Sequence, residues 1–368
     1  MKSVYDLFLR GTRIKKGLGE FGIEIETETK EANYYPKDFF GESIVQETPG
    51  HGVKVFWHPR SIPEWTVTED GSLRDFGREF VLREPLNYDL AMMAIDSWGQ
   101  ATKDIRFTQN APSTSVHVHM NITKFTPLQL VNLFTLFVFF ENLLTEFCGV
   151  NRRSNTFARP CRCADAILDN IRRMIDGIEN GSKKPIVFSP AHTKYAVLNL
   201  STMSLYGSLE VRSMRGTTNP EEIKDWLSIL NRLYKYAQLP GLTPSTFYDV
   251  YREIEFEIVD RIFGSDSDKL KRGNWRDMLR RNEFFLADIA TLIQSWGEFG
   301  TKYSVRDNAP KTSDGLDYIA MAQQMINNQP PAFTWTTAPL ALDGLQGSTV
   351  VVDELPDYEP DEDGDLPY

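Results

Sequence analysis

Three short segments carry ionisable residues two positions apart, with apolar residues between them. Phe21-Gly22-Ile23-Glu24-Ile25-Glu26 holds two carboxylates. Ser115-Val116-His117-Val118-His119-Met120-Asn121 holds two imidazoles, and Ser208-Leu209-Glu210-Val211-Arg212 pairs a carboxylate with a guanidinium. In a β-strand successive side chains alternate faces and each residue rises about 3.3 Å, so each pair shares one face at about 6.6 Å. Ile23 and Ile25 then point the other way. Carboxylates bind hard divalent cations, neutral imidazole can complete such a site, and arginine makes two parallel contacts to phosphate. An ordinary two-sided sheet would turn Thr, Lys and Gln to water; Glu, His and Arg on all three strands are what metal and phosphate chemistry needs. Gathered on one barrel face, these groups form a metal-phosphate site.

A fourth segment joins them. Trp65-Thr66-Val67-Thr68-Glu69 runs into Asp70-Gly71-Ser72-Leu73, and Arg78-Glu79-Phe80-Val81 follows. Asp70-Gly71 is a turn signal, so the flanking strands pair as a hairpin that presents Glu79 on the adjoining strand. Taken alone, Glu79 reads as a surface residue and Asp70 as a turn former.

The elements that must position these residues follow from periodicity. Strands are expected at 21–29, 64–69, 79–83, 115–122, 195–201 and 208–214, where side chains alternate between Gly, Pro and Asp-Gly signals. Short links between several of them imply an antiparallel sheet. Helices interrupt it: Pro127 opens a long apolar segment to about Phe147, and another helix is expected from Cys163 to about Ile178. After Asn219-Pro220, apolar residues at Ile223, Trp226, Leu227, Leu230, Leu233 and Tyr234 keep a 3.6-residue period. Further helices are expected over 246–263, introduced by Thr243-Pro244-Ser245, and over 275–296. The pattern is α+β rather than a regular βαβ alternation. It divides the chain into a sheet-based core at 1–219, a helical part packed on it at 220–328, and an acidic, mostly disordered tail at 329–368.

Composition narrows the classes. The chain has 368 residues, 25% of them charged and 41% hydrophobic, which suits a folded protein. Of the formal charge of -11, eight acids lie in Val351–Tyr368 without a base, so the rest of the chain is nearly balanced. That argues against a nucleic-acid-binding surface. Three cysteines, Cys148, Cys161 and Cys163, are too few for a disulfide framework and fit a reducing cytoplasm. Asp6 interrupts the N-terminal apolar run, so no secretory signal is expected. The uncharged stretch Phe125–Phe140 contains Pro127, Gln129 and Asn132 and is shorter than a membrane span, so it reads as a core helix.

The motifs in their order, GIEIE, a DGSL turn before a Glu-Phe-Val strand, HVHMN, YAVLNLS and YGSLEVR, resemble the amidoligase family, over about Gly22 to Arg215. Its members are carboxylate-amine ligases related to glutamine synthetase and glutamate-cysteine ligase and common in phage and bacterial gene clusters, so a phage source is expected. The resemblance implies a curved antiparallel half-barrel lined by divalent ions that bind ATP. It assigns Glu24, Glu26, Glu79, His117 and Glu210 to magnesium or manganese. Arg212 becomes a phosphate contact with a catalytic role, and Asp70 of the turn is a weaker catalytic candidate. Arg159, Asn199, Ser72 and His119 are candidates for holding the nucleotide. Glu28 adds a third acid to the first strand, leaving open which acids bind metal, and is also a candidate rim base. Arg152 and Arg153 are alternatives to Arg159.

The implied reaction is ATP-dependent amide formation through an acyl phosphate, joining small-molecule or peptide carboxylates and amines. No membrane or nucleic-acid partner is expected, and the oligomeric state is not readable. Gly17-Leu18-Gly19-Glu20-Phe21-Gly22 matches a dinucleotide fingerprint only in letters, because it opens a strand and not a helix. Two rival readings exist, a metal-dependent hydrolase using the His-x-His strand and a non-catalytic phage interaction protein. Ile122 and Thr123 stand where a cupin needs Glu, and Asn121 and Ile122 replace the Asp and His of an HxHxDH hydrolase. The interaction protein leaves the carboxylate strands unexplained.

Overall fold

Strands with one apolar and one ionisable face pack helices against the apolar side and leave the other side for chemistry. The computed structural model describes residues 3–9, 14, 19–30, 42–48, 52–109, 111–153, 158, 160–161 and 196–294. Among these, eight strands form one sheet: β1 Phe21–Thr27, β2 Glu42–Thr48, β3 Gly52–His58, β4 Trp65–Thr68, β5 Arg78–Leu82, β6 Ser115–Asn121, β7 Leu198–Asn199 and β8 Ser208–Arg215. Their order is β2-β3-β4-β5-β1-β6-β8-β7. Every neighbouring pair is antiparallel. The sheet ends on β2 and β7 without closing.

The described helices are α1 Tyr88–Thr102, α2 Pro127–Cys148, α3 Thr202–Tyr206, α4 Pro220–Tyr236, α5 Pro244–Ile254, α6 Glu257–Phe263, α7 Ser267–Leu270 and α8 Trp275–Gln294. The mixture is α+β, as the sequence predicts. Registers that place Ile25 opposite Phe80 and Val116, and Ile23 opposite Val118, put these residues on one face, and all are buried. Trp98 of α1 stands edge-on to Phe80 with centroids 5.9 Å apart, and Tyr234 of α4 leans on Phe21 at 5.3 Å. The Tyr234 hydroxyl donates to Asn121 O at 2.7 Å, tying α4 to the end of β6.

α2 begins with a capping box in which Thr126 and Gln129 exchange side-chain and backbone hydrogen bonds, with Pro127 in the first turn. Its composition and length would suit a membrane, yet 83% of its most apolar window is buried inside the protein. Phe139 and Phe140 stack edge-on with Phe247 of α5 and Phe263 of α6. Asn132 donates to Leu242 O at 2.8 Å and Asn282 of α8 donates to Phe139 O at 2.8 Å. A lipid-facing helix would offer no such partners, so α2 is the core helix its polar interruptions predict.

The structure corrects the element boundaries in four places. β2 and β3 have no counterpart among the expected elements and pair antiparallel, with Val45 opposite Val55 and Ser43 opposite Trp57. Helix α1 has no counterpart among the expected elements, although Asn87 caps it by accepting from Leu90 N–H. The strand at 195–201 is reduced to Leu198–Asn199 among the described residues. The helix over 246–263 is two helices, because Glu255 takes a left-handed backbone (φ 42°) between them. The expected helix at 163–178 and the acidic tail lie outside the described residues.

The described residues belong to one compact unit within 1–326; residues 327–368 lie outside the described residues. The literal glycine motif leads straight into β1. A Cβ on Gly19 would lie 2.2 Å from the Leu86 carbonyl carbon, so close strand contact accounts for that glycine.

Candidate functional site

Register carries the ionisable residues onto the face opposite the apolar core. Glu24 pairs with His117, Glu26 with Glu79, His119 with Glu210, and Asn199 with Glu210. Residues directly opposite in neighbouring strands share a face, so β5, β1, β6, β8 and β7 deliver their groups to one surface.

Two clusters result. In the first, one ligand atom each from Glu24, His117 and Glu210 lies within 4.8 Å of the others, and in the second the same holds for Glu26, Asp70 and Glu79. The first offers one imidazole nitrogen with carboxylate oxygens, the second oxygens alone. These are donor sets for hard divalent cations, so the residues present fit magnesium or manganese. The metal candidates separate into two adjacent groups, and Asp70 joins the second of them.

Hydrogen bonds hold both groups. His117 Nδ1 lies 3.0 Å from Glu24 Oε2 and 3.4 Å from Glu210 Oε1. His119 Nε2 lies 3.1 Å from Glu24 Oε1, and its Nδ1 is 3.1 Å from Ser208 Oγ. Asn199 donates its amide to Glu210 Oε2 at 2.7 Å and accepts from Ser201 N–H and Oγ–H. Its whole side chain thus orients Glu210. Arg212 forms an ion pair with the other Glu210 oxygen. Of the two imidazoles, His117 belongs to a cation cluster and His119 flanks it.

A bulge explains where Arg212 sits. Val118 pairs with Val211 but Val116 pairs with Met214, so β8 has one residue more than β6 across this stretch. Arg152, in the short turn after α2, is buried and donates to both carbonyls at the bulge, Ser213 O at 2.9 Å and Arg212 O at 2.6 Å. That role is structural. Arg153 pairs with Glu146. Arg159 lies outside the described residues.

Glu28 is withdrawn from the rim, while Ser72 stays at the surface. Glu28 is 3% exposed, and its Oε1 accepts from Arg74 N–H at 2.7 Å and Ser113 Oγ at 2.5 Å, so it closes loops and is not a rim base. Ser72 is exposed, and its backbone N–H donates to Asp70 Oδ1 at 2.7 Å. Asp70 therefore forms the turn and contributes to a cluster at once.

Charge shifts follow the same contacts. Burial raises the Glu24 carboxyl, but the charge of His119 and hydrogen bonds from both imidazoles outweigh it and hold Glu24 well below its ordinary value. Burial lowers His119, yet the field and hydrogen bond of Glu24, with the field of Glu210, leave it raised. Partial desolvation of its hydroxyl beside the site and the charges of Glu24, Glu210 and Glu79 push the Tyr206 phenol up, although the residue as a whole is exposed.

Sequence reasoning passed over Ser115 and Tyr206. Ser115 shares the parity of His117 and His119 on one strand, which was the available signal. Tyr206 of α3 is 63% exposed and stands edge-on to His119 with centroids 5.9 Å apart; no spacing rule reaches it.

Residues 94–234 match the model of the family described as "Putative amidoligase enzyme", a similarity that supports the amidoligase family and an enzyme of ligase type. The match includes β6, β7 and β8 and excludes the strands that carry Glu24, Glu26 and Glu79. No curated protein matches the chain.

Proposed function

We propose that the protein is an ATP-dependent carboxylate-amine ligase with a glutamine synthetase-like sheet, forming an amide through an acyl phosphate. The observation that carries this reading is the convergence of two cation-type clusters and Arg212 on one sheet face of a chain whose middle matches the amidoligase family. Glu24, His117 and Glu210 would hold one magnesium or manganese ion, and Glu26, Asp70 and Glu79 another. Bound there, such ions neutralise triphosphate charge and polarise the phosphoryl group.

Activation is needed because a free carboxylate is a poor acyl donor. A substrate carboxylate oxygen attacks the γ-phosphorus, and the bond from that phosphorus to the β–γ bridging oxygen breaks to release ADP. The amine then attacks the acyl carbon and loses a proton, and phosphate leaves. Phosphoryl transfer depends on positioning and charge neutralisation, so no protein nucleophile is required. Arg212 supplies positive charge for the phosphate oxygens, Asn199 aims Glu210, and His119 keeps Glu24 ionised. The acid and amine are small molecules or peptides, and a cytoplasmic setting belongs to the same reading.

Incubation with Mg-ATP and pooled amino acids or polyamines should yield ADP, phosphate and an amide. Glu24→Gln with Glu26→Gln should abolish that turnover while circular dichroism stays unchanged. Full activity in the double variant would misplace the site, and cation-dependent turnover without ATP would favour a hydrolase.

A further inference from the structure

We infer that Ser115 is a positioning residue that aims His117 into the first cation cluster and ties that aim to Glu26 of the second. This rests on the two-cation reading above. Ser115 opens β6 and is 6% exposed. Its Oγ lies 2.6 Å from Glu26 Oε2 and 2.7 Å from His117 Nε2. A hydroxyl carries one proton and an ionised carboxylate only accepts, so the Ser115 proton points to Glu26. Ser115 Oγ must then accept from His117 Nε2–H. With a cation bound in the first cluster, that arrangement would leave the imidazole lone pair on Nδ1, the atom facing Glu24 at 3.0 Å and Glu210 at 3.4 Å.

A hydrogen-bond partner on the remote nitrogen of a ligating histidine sets tautomer and ring angle and raises ligand basicity, at about 10–100-fold in metal affinity. Here the chain does not end on a bystander. Its terminal acceptor is Glu26, a member of the neighbouring cluster, so Glu26 serves one cation through an oxygen and the other through Ser115 and His117. The two clusters form one connected unit, although no side chain belongs to both.

Manganese alone is the probe, with pulsed electron paramagnetic resonance as the readout, because an imidazole nitrogen couples to the bound ion only in the His117 cluster. The wild-type protein should show a nitrogen-coupled Mn2+ signal. Ser115→Ala should weaken that site about 10–100-fold, and Ser115→Thr, which keeps the hydroxyl, should retain it. Glu26→Leu should weaken the same nitrogen-coupled site, and the Ser115→Ala/Glu26→Leu double variant should be no weaker than the weaker single variant, since both cut one chain. Wild-type affinity in a folded Ser115→Ala, loss in Ser115→Thr equal to that in Ser115→Ala, or multiplying losses in the double variant would overturn the role of Ser115 while the cation sites stand. Absence of any nitrogen-coupled signal from the wild type would overturn the two-cation reading and this inference together.

Discussion

Glu24 lies between two imidazoles, so its charge state and that of His119 depend on each other. The direction of each shift sets a pH window for the cation-free protein. Glu24 is depressed below its ordinary 4.5, so its contribution to stability is complete above 4.5 and is lost as pH falls through its folded value. His119 is raised above its ordinary 6.5, so its contribution is complete below 6.5 and is lost as pH rises through the raised value. The pair should therefore stabilise most between 4.5 and 6.5. Urea midpoints of wild type and His119→Gln, measured across pH in chelator, should differ most inside that window. A difference that does not vary with pH would remove the ion pair as its cause.

At the scale of elements, the bulge in β8 is the feature that alternation cannot anticipate. It inserts a residue beside His117 and leaves the carbonyls of Arg212 and Ser213 to Arg152. A buried acceptor left without its donor costs about 1–3 kcal/mol. Arg152→Ala should destabilise the fold by at least that amount in urea titration and slow nucleotide turnover by displacing Arg212. Unchanged stability would mean that the bulge holds itself. The same scale shows what was legible: β1, β6 and β8, the β4–β5 hairpin, and the cores of α2, α4 and α8 follow from period and capping. α1 escaped because exposed Leu90 and Met93 blur its apolar stripe, and the break at Glu255 is a backbone choice with no residue signature.

Across the molecule, the described part of residues 1–326 places the two candidate cation clusters on one side of a sheet whose other side is the hydrophobic core. Binding to such a site must stabilise the fold, by about 2.7 kcal/mol for each independent site at a free cation concentration 100 times its dissociation constant. Mg2+ or Mn2+ should raise the unfolding midpoint of the wild type, and Glu24→Gln with Glu26→Gln should abolish the rise. A midpoint indifferent to cations in the wild type would count against both clusters.

Parity along single strands determined which residues face together: Glu24 with Glu26, His117 with His119, Glu210 with Arg212, because pleating is a local property of the backbone. The order of the motifs also carried the family, which the match over 94–234 supports. Only the tertiary structure decided which strands are neighbours and in what register. That choice split the acids into two clusters, put His117 in one of them with His119 beside it, placed Asp70 beside Glu26 and Glu79, set Arg152 under the bulge, and withdrew Glu28 into a loop closure. Register arises from long-range hydrogen bonding and core packing, to which residues far apart in the chain contribute, so no local pattern contains it.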